Sequence, residues 1–293
     1  MTQVSRSEPK ASKGQKIRLV ALDLDGTLLD PYGKLTPAVR DAVARVAKRS
    51  GLRIALVTGR RFRTALPHAQ ALGLSGAIIV NNGAIVKDLA SGETLHHAYL
   101  PAEAFGDVID HVRSLGSPLV YVDSYHDGID ILTERADRAH PFQREYLDDQ
   151  GKVVTIADDV KKTGSERVIM VSTMGDLASL DALRGRALER FGERIQTHSL
   201  INKNYQGQIL EFLSPTAGKW PALERLAASW EISASEIAAV GDDTNDAELL
   251  AHVGLGIAMG NALPEVRAAA RSVVPSNAEG GAVEALDQIL SAL

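Results

Sequence analysis

No cysteine occurs among the 293 residues, which removes disulfides, thiolate zinc sites, iron–sulfur clusters and cysteine nucleophiles together. No run of about 18 apolar residues is present, so no segment reads as a membrane-spanning helix. An excess of positive charge is missing too: 32 Lys and Arg stand against 37 Asp and Glu, a net charge of -5. Without a basic stripe, nucleic acid is not an expected partner. The first 16 residues carry scattered Arg6, Lys10, Lys13 and Lys16 but no apolar stretch after them, which excludes a secretory signal by pattern and predicts a disordered tail. These absences lead to the expectation of a cytoplasmic protein, monomeric by default. What is present is ordinary for a globular chain, 45% hydrophobic and 24% charged, and long enough for two modest domains.

The pattern changes at Ile17. Short apolar runs at 17–22, 52–57 and 77–80 read as buried strands, separated by helical spacing at 37–49 and 62–72. Strand–helix–strand order with short links implies parallel pairing. The same order returns late, with helices at 217–230, 246–251 and 281–290 and strands at 237–240, 254–259 and 272–275. The middle differs. Strand candidates at 85–87, 95–99, 119–122, 129–132, 167–172 and 195–198 alternate with helix candidates at 102–115, 136–147 and 177–190. The expectation is an α/β, Rossmann-like core of residues 17–84 and 206–293 with an inserted α+β domain over 85–205.

The residues with the clearest chemistry stand at the ends of core strands. Asp23 and Asp25 are two apart after the first strand, so both carboxylates leave on the same side, and Gly26 lets the chain turn away. Two acids so close share a proton or a cation. A bare D-x-D also suits a turn with capping acids; D-x-D-G-T-L after an apolar strand is more specific. Gly241-Asp242-Asp243-Thr244-Asn245-Asp246 follows the 237–240 strand, where a capping loop and an anion site can coincide. Ligands gather at this edge of open α/β sheets. Carboxylates and water at a shared point suit Mg²⁺. Thr58-Gly59 offers a hydroxyl and backbone N–H groups after the second strand, and Lys219 stands near a helix start. Together these elements meet the needs of phosphoryl transfer.

These residues resemble the haloacid dehalogenase superfamily. Asp23-x-Asp25-Gly26-Thr27 is similar to its first motif, Thr58 to its second, Lys219 to its third and Gly241-Asp242-x-x-Asn245-Asp246 to its fourth. Asn82-Gly83-Ala84 and Ala258-Met259-Gly260-Asn261-Ala262 resemble the Cof-type branch, and the 161 residues from Thr58 to Lys219 leave room for a cap of mixed α/β kind. The resemblance implies that Asp23 attacks phosphorus to give an aspartyl-phosphate and that Asp25 is the general acid and base. It implies Mg²⁺ held by the Asp23 side chain, the Asp25 carbonyl and Asp242, with Asp246 supporting the metal's waters and Lys219. It implies phosphate binding by Thr58, Gly59, Lys219 and Asn245. One departure is that Gly218 and Trp220 flank Lys219, where many relatives carry Ser before it and Gly after.

The expected activity is Mg²⁺-dependent hydrolysis of a small-molecule phosphate monoester, a sugar phosphate or similar metabolite. A phosphomutase or a non-catalytic phosphate-binding module are the alternatives. Arg60, Tyr125 and His126, together with Asp123 and Asn204, are the polar candidates for substrate selection. Gly254-Leu255-Gly256-Ile257-Ala258-Met259-Gly260 is a dinucleotide-motif decoy, since it lies within a late strand instead of opening a helix after the first. His96-His97 and Tyr125-His126 lack the companions of a transition-metal site and read as surface of the inserted domain.

Overall fold

A computed structural model describes residues 16–135, 139–164, 166–202 and 207–293. Most of the expected tail, the start of the 136–147 helix, Asn204 and the Tyr205 end of the insert lie outside the described residues. In chain order the elements are β1 (Leu19–Leu22), α1 (Pro37–Ala47), β2 (Arg53–Val57), α2 (Phe62–Ala71), β3 (Ala77–Val80), β4 (Ile85–Asp88), β5 (Thr94–His97) and α3 (Ala102–Arg113). They continue with β6 (Leu119–Ser124), β7 (Ile129–Thr133), α4 (Pro141–Gln150), β8 (Val154–Ile156), β9 (Val168–Gly175), α5 (Leu177–Phe191), β10 (Gln196–Asn202) and β11 (Gly207–Leu213). The last are α6 (Lys219–Ser229), β12 (Ile237–Gly241), α7 (Ala247–His252), β13 (Leu255–Ala258), α8 (Pro264–Ala269), β14 (Ser272–Val273) and α9 (Gly281–Ser291).

The chain divides into two compact units. One gathers the described residues up to Thr58, Leu66–Ile78 and Leu223–Leu293; the other comprises Gly59–Ala65 and the described residues of Ile79–Ala222. In the first, β1 lies between β12 and β2, with Leu19 opposite both Ile237 and Arg53, and every pairing is parallel through β13 to β14. All four residues of β1 are buried, as expected of a central strand covered on both faces. α1 begins where Thr36 Oγ1 accepts from Val39 N at 3.3 Å and Pro37 takes the first position, where a missing N–H costs nothing. Its buried stripe is Val39, Ala42, Val43 and Val46, the 3.6-residue spacing visible in the sequence.

The second unit is built on a six-stranded sheet in the order β10-β11-β9-β6-β7-β8, antiparallel except for β7–β8. α3 and α5 supply Phe105, Val108, Ile109, Leu183 and Phe191 to an apolar cluster that also takes Val120, Leu210 and Phe212 from the sheet. Residues of β11 alternate, so Glu211, between Leu210 and Phe212, belongs to the opposite face. Its cross-strand neighbours there are His198 on β10 and Ser172 on β9. This polar row positions the chemistry described below.

Several boundaries differ from the sequence expectation. The middle helix runs over Pro141–Gln150 because Pro141 takes its first position, with His140 Nδ1 accepting from Phe142 N. The helix expected from Ala217 begins at Lys219, preceded by a turn in which Ala217 N donates to Ser214 O. β8, β11 and α8 are additions: β8 is a three-residue edge strand, and α8 spans only six residues, too short to show a period. Among the described residues no helix is long and apolar enough to cross a membrane.

Candidate active site

In the first unit the ends of β1 and β12 bring three acids together. Asp23, Asp242 and Asp246 each place a carboxylate oxygen within 4.8 Å of the others. The pairing of β1 with β12 is what does this: Leu22 is level with Val240, and Asp23 N continues the ladder to Val240 O at 3.1 Å. Asp23 and Asp246 are buried and Asp242 is partly so. Gly26, at φ 78°, closes the turn after Asp25, and a Cβ there would stand 2.1 Å from Asp242 Oδ2. Only glycine allows both that backbone and that approach.

The acids are held by donors that leave their cluster intact. Thr27 Oγ1 donates to Asp242 Oδ1 at 3.1 Å, and Asn261 Nδ2 donates to Asp242 Oδ2 at 3.0 Å and to Gly26 O at 2.9 Å. Asn261 is itself oriented by Asn277 N, which donates to its Oδ1 at 3.0 Å. Asp246 Oδ2 receives the N–H groups of Asp242 and Asp243, each at 3.2 Å, closing a capping box at the entry to α7. Sequence alone does not mark Thr27 and Asn261 as site residues; the signal for them is their place in the Asp23–Thr27 and Ala258–Ala262 motifs. The donor set is three carboxylates with no imidazole or thiolate, the hard-oxygen chemistry that suits Mg²⁺ completed by water.

The second unit holds other motif residues. Lys219 opens α6 and is 3% exposed; Trp220 beside it is also buried. Gly59 is exposed and lies against Asn82, while Arg60 is half-buried. Asn81, Asn82 and Gly83 are consecutive residues in the left-handed region, at φ 51°, 55° and 84°. Thr58, at the end of β2, is buried and belongs to the first unit, as do Asp25 and Asn245.

Tyr125 and His126 occupy a tight turn after β6. Arg63 stacks its guanidinium 4.6 Å from the Tyr125 ring centroid and donates to Tyr125 O at 3.0 Å, and Phe62 meets the ring edge-on. These contacts anchor the turn, while the His126 side chain faces solvent at 55% exposure. Asp130 joins both Arg61, at 2.7 Å, and Arg63, at 3.0 Å. Nearby, Lys87 Nζ reaches Asp123 Oδ1 at 2.6 Å, and Tyr99 OH donates to Asp123 Oδ2 at 2.6 Å. Burial alone would raise Asp123, but donation from Lys87, Thr94 and Tyr99 holds its carboxyl below the usual range. Tyr99 is pushed up to about 12, by burial first and then by that same acid. Asp123, a selection candidate from sequence, is thus committed to a buried ion pair.

Glu211 has a different setting. It is buried, and Asn82 Nδ2 donates to its Oε2 at 3.0 Å. Burial raises its carboxyl to about 7, with the Asn82 bond opposing. His198 Nδ1 stands 3.8 Å from Glu211 Oε2, but burial, then Arg184 and Lys219, lower the imidazole and favour its neutral form.

Comparison with known proteins agrees with the motifs. The family model of haloacid dehalogenase-like hydrolases matches residues 20–286. The HMP-PP phosphatase of Escherichia fergusonii is 32% identical over 252 residues, covering 86% of this chain and 87% of its own. That of Serratia proteamaculans is 30% identical over 251 residues, covering 85% and 86%. Among solved structures, a haloacid dehalogenase-like hydrolase from Bacteroides thetaiotaomicron superposes with a TM-score of 0.79 at 26% identity, over 94% of this chain and 100% of that one.

Proposed function

The chain belongs to the haloacid dehalogenase-like hydrolase family and is a phosphatase of that family, and from this premise we propose that it hydrolyses a small-molecule phosphate monoester, a sugar phosphate or related metabolite, with Mg²⁺. The observation that carries the reading is the convergence of Asp23, Asp242 and Asp246 at the ends of two neighbouring parallel strands. Asp23 and Asp242, with the Asp25 carbonyl, would hold the ion, and Asp246 would support its waters. The bound ion supplies positive charge to the phosphoryl oxygens.

Asp23 is the nucleophile. Its carboxylate oxygen forms a bond to phosphorus as the bond to the ester oxygen breaks, leaving an aspartyl-phosphate. Asp25 enters as the acid and gives its proton to the leaving alkoxide, so the alcohol departs neutral. As carboxylate it then takes a proton from water, whose oxygen attacks phosphorus; the bond to Asp23 breaks and phosphate leaves. Thr58, Gly59, Asn245 and Lys219 bind phosphoryl oxygens, and Lys219 offsets their charge. Residues 85–205 act as the cap that selects the leaving group, with Arg60, Tyr125 and His126 as polar candidates. The direct test measures phosphate release from sugar phosphates, nucleotides, pyridoxal phosphate and HMP-PP, with Mg²⁺ and with EDTA. Release that EDTA abolishes is expected; no release from any ester, or release indifferent to EDTA, overturns the reading.

A further inference from the structure

Asn82-Gly83 marks a branch of the family in the sequence but has no part in the chemistry above. Its geometry within the second unit suggests one. Three consecutive residues, two of them with side chains, hold positive φ, and such backbone persists only where surroundings fix it. Asn81 N donates to Arg60 O at 2.9 Å, tying the loop to the 59–60 turn. The Asn82 side chain, 1% exposed, presents its oxygen to Gly59: a Cβ on Gly59 would stand 2.7 Å from Asn82 Oδ1. On its other side the loop meets the start of α6, where a Cβ on Gly83 would lie 2.0 Å from Gly218 O and 2.8 Å from Lys219 N. One three-residue loop therefore touches the turn that carries Gly59 and the turn that carries Lys219.

The orientation of Asn82 decides which end of its amide faces Gly59. Glu211 decides the orientation. A carboxyl beside the amide accepts from Nδ2, which sends Oδ1 the other way, toward the glycine.

We propose that Glu211 and Asn82 form a positioning pair: the buried Glu211 carboxyl fixes the Asn82 amide, and the loop it anchors sets the Gly59 turn and the Lys219 turn for one phosphoryl group. This rests on the reading of Gly59 and Lys219 as phosphate-binding. The pair acts through those residues and does not touch the reacting atoms. The groups facing Glu211 are Asn82 from the loop, His198 from β10 and Tyr146 from α4, which feels the charge of Glu211; Arg184 and Lys219 act on His198. With His198 held neutral, ionised Glu211 is the stronger acceptor for Asn82, because a charged acceptor strengthens the bond. The working form is the carboxylate.

The test uses the full chain with p-nitrophenyl phosphate as substrate and inorganic phosphate as competitor, in Glu211→Gln, Glu211→Leu, Asn82→Ala and Thr58→Ala, each checked for folding by circular dichroism. Glu211→Leu and Asn82→Ala are expected to lose about tenfold or more in kcat/KM and to weaken phosphate competition while folded, since small misplacements of binding groups cost at least that much. Glu211→Gln keeps only a neutral acceptor, so it is expected to hold at pH 8 the lowered kcat/KM expected of the wild type below about pH 7, and to lack the wild type's rise between the two. If Glu211→Leu fails to fold, the pH profile of Glu211→Gln and the phosphate competition of Asn82→Ala decide the matter. Unchanged phosphate competition in folded Asn82→Ala, or an unchanged acidic limb in Glu211→Gln, overturns the pair. Unchanged competition in Thr58→Ala sinks the phosphate-turn reading instead.

Discussion

The two units treat buried carboxylates in opposite ways. In the second, Asp123 meets Lys87 at 2.6 Å and takes a phenol besides, and Asp130 sits between two arginines. Each of those acids has a cation on hand when the chain folds. In the first, three carboxylates crowd within 4.8 Å, and the donors that brace Asp242 and Asp246 include hydroxyl, amide and backbone groups. These donors orient the acids and keep them close together. Paired charge holds a fold in register; a cluster of acids is an arrangement that a bound cation would relieve. The contrast predicts that mutations in the two places fail differently, one in turnover and the other in stability.

The largest effect is expected from Asp23→Asn. The change is nearly isosteric, so the fold stays, but the amide is a poor nucleophile. Removing a nucleophile from a concerted site costs several orders of magnitude, so phosphate release should fall by at least about 10³-fold. Chemical denaturation should give a midpoint close to that of the wild type, because the amide keeps the shape of the carboxyl. Retained turnover would remove Asp23 from the chemistry; a collapsed midpoint would show that the cluster is structural.

That asymmetry between the units is only half legible in the sequence. Asp23, Asp25, Asp242 and Lys219 stood out because each follows an apolar strand or opens a helix, and strand ends are set by local pattern. Their bracing did not stand out. Thr27 and Asn261 act on Asp242 across 215 and 19 residues of chain, contacts that exist only once β1, β12 and β13 are paired. Glu211 was hidden for a related reason. It interrupts an apolar run, Gly207–Leu213, whose alternation makes sense only with β9 and β10 on either side. Asp123 looked like a substrate contact because an acid near a strand end carries no mark of the lysine 36 positions earlier that occupies it.

The second effect in size is Lys87→Met. Lys87 is 3% exposed and also donates to Gly92 O and Thr94 Oγ1, at 3.0 and 2.8 Å. Removing it leaves Asp123 buried with Tyr99, Thr94 and the more distant Arg167, 3.7 Å away. Stranding a buried charge costs about 3–5 kcal/mol, and the remaining donors argue for the lower end. Urea unfolding should show that loss, and Asp123→Asn in the same background should recover part of it. A loss below about 1 kcal/mol would mean that the pair contributes no more than a surface salt bridge.

The smallest effect tests a buried carboxylate in the second unit that departs from this pattern. Glu211 is buried as deeply as Asp123, yet its hydrogen-bond donor is the neutral amide of Asn82, so burial dominates and its carboxyl rises from 4.5 to about 7. A raised acid means that the folded state holds the proton more tightly than the unfolded chain. Below about pH 4.5 both states are protonated and the stability is complete. Between there and about pH 7 the unfolded chain ionises first, and stability drains away as pH rises through the folded value. The shift corresponds to about 3 kcal/mol as an upper figure, since each unit is worth about 1.4 kcal/mol. Glu211→Gln removes the ionisation while leaving an acceptor for Asn82. Urea unfolding of the two proteins should therefore agree near pH 4.5 and diverge in favour of the glutamine up to about pH 7, with no further separation above it. Parallel profiles across that range would place a cation beside Glu211 and return it to the company of Asp123. Divergence in the expected direction would make Glu211 a group retained at a cost to the fold, as a carboxylate that positions a catalytic loop has reason to be.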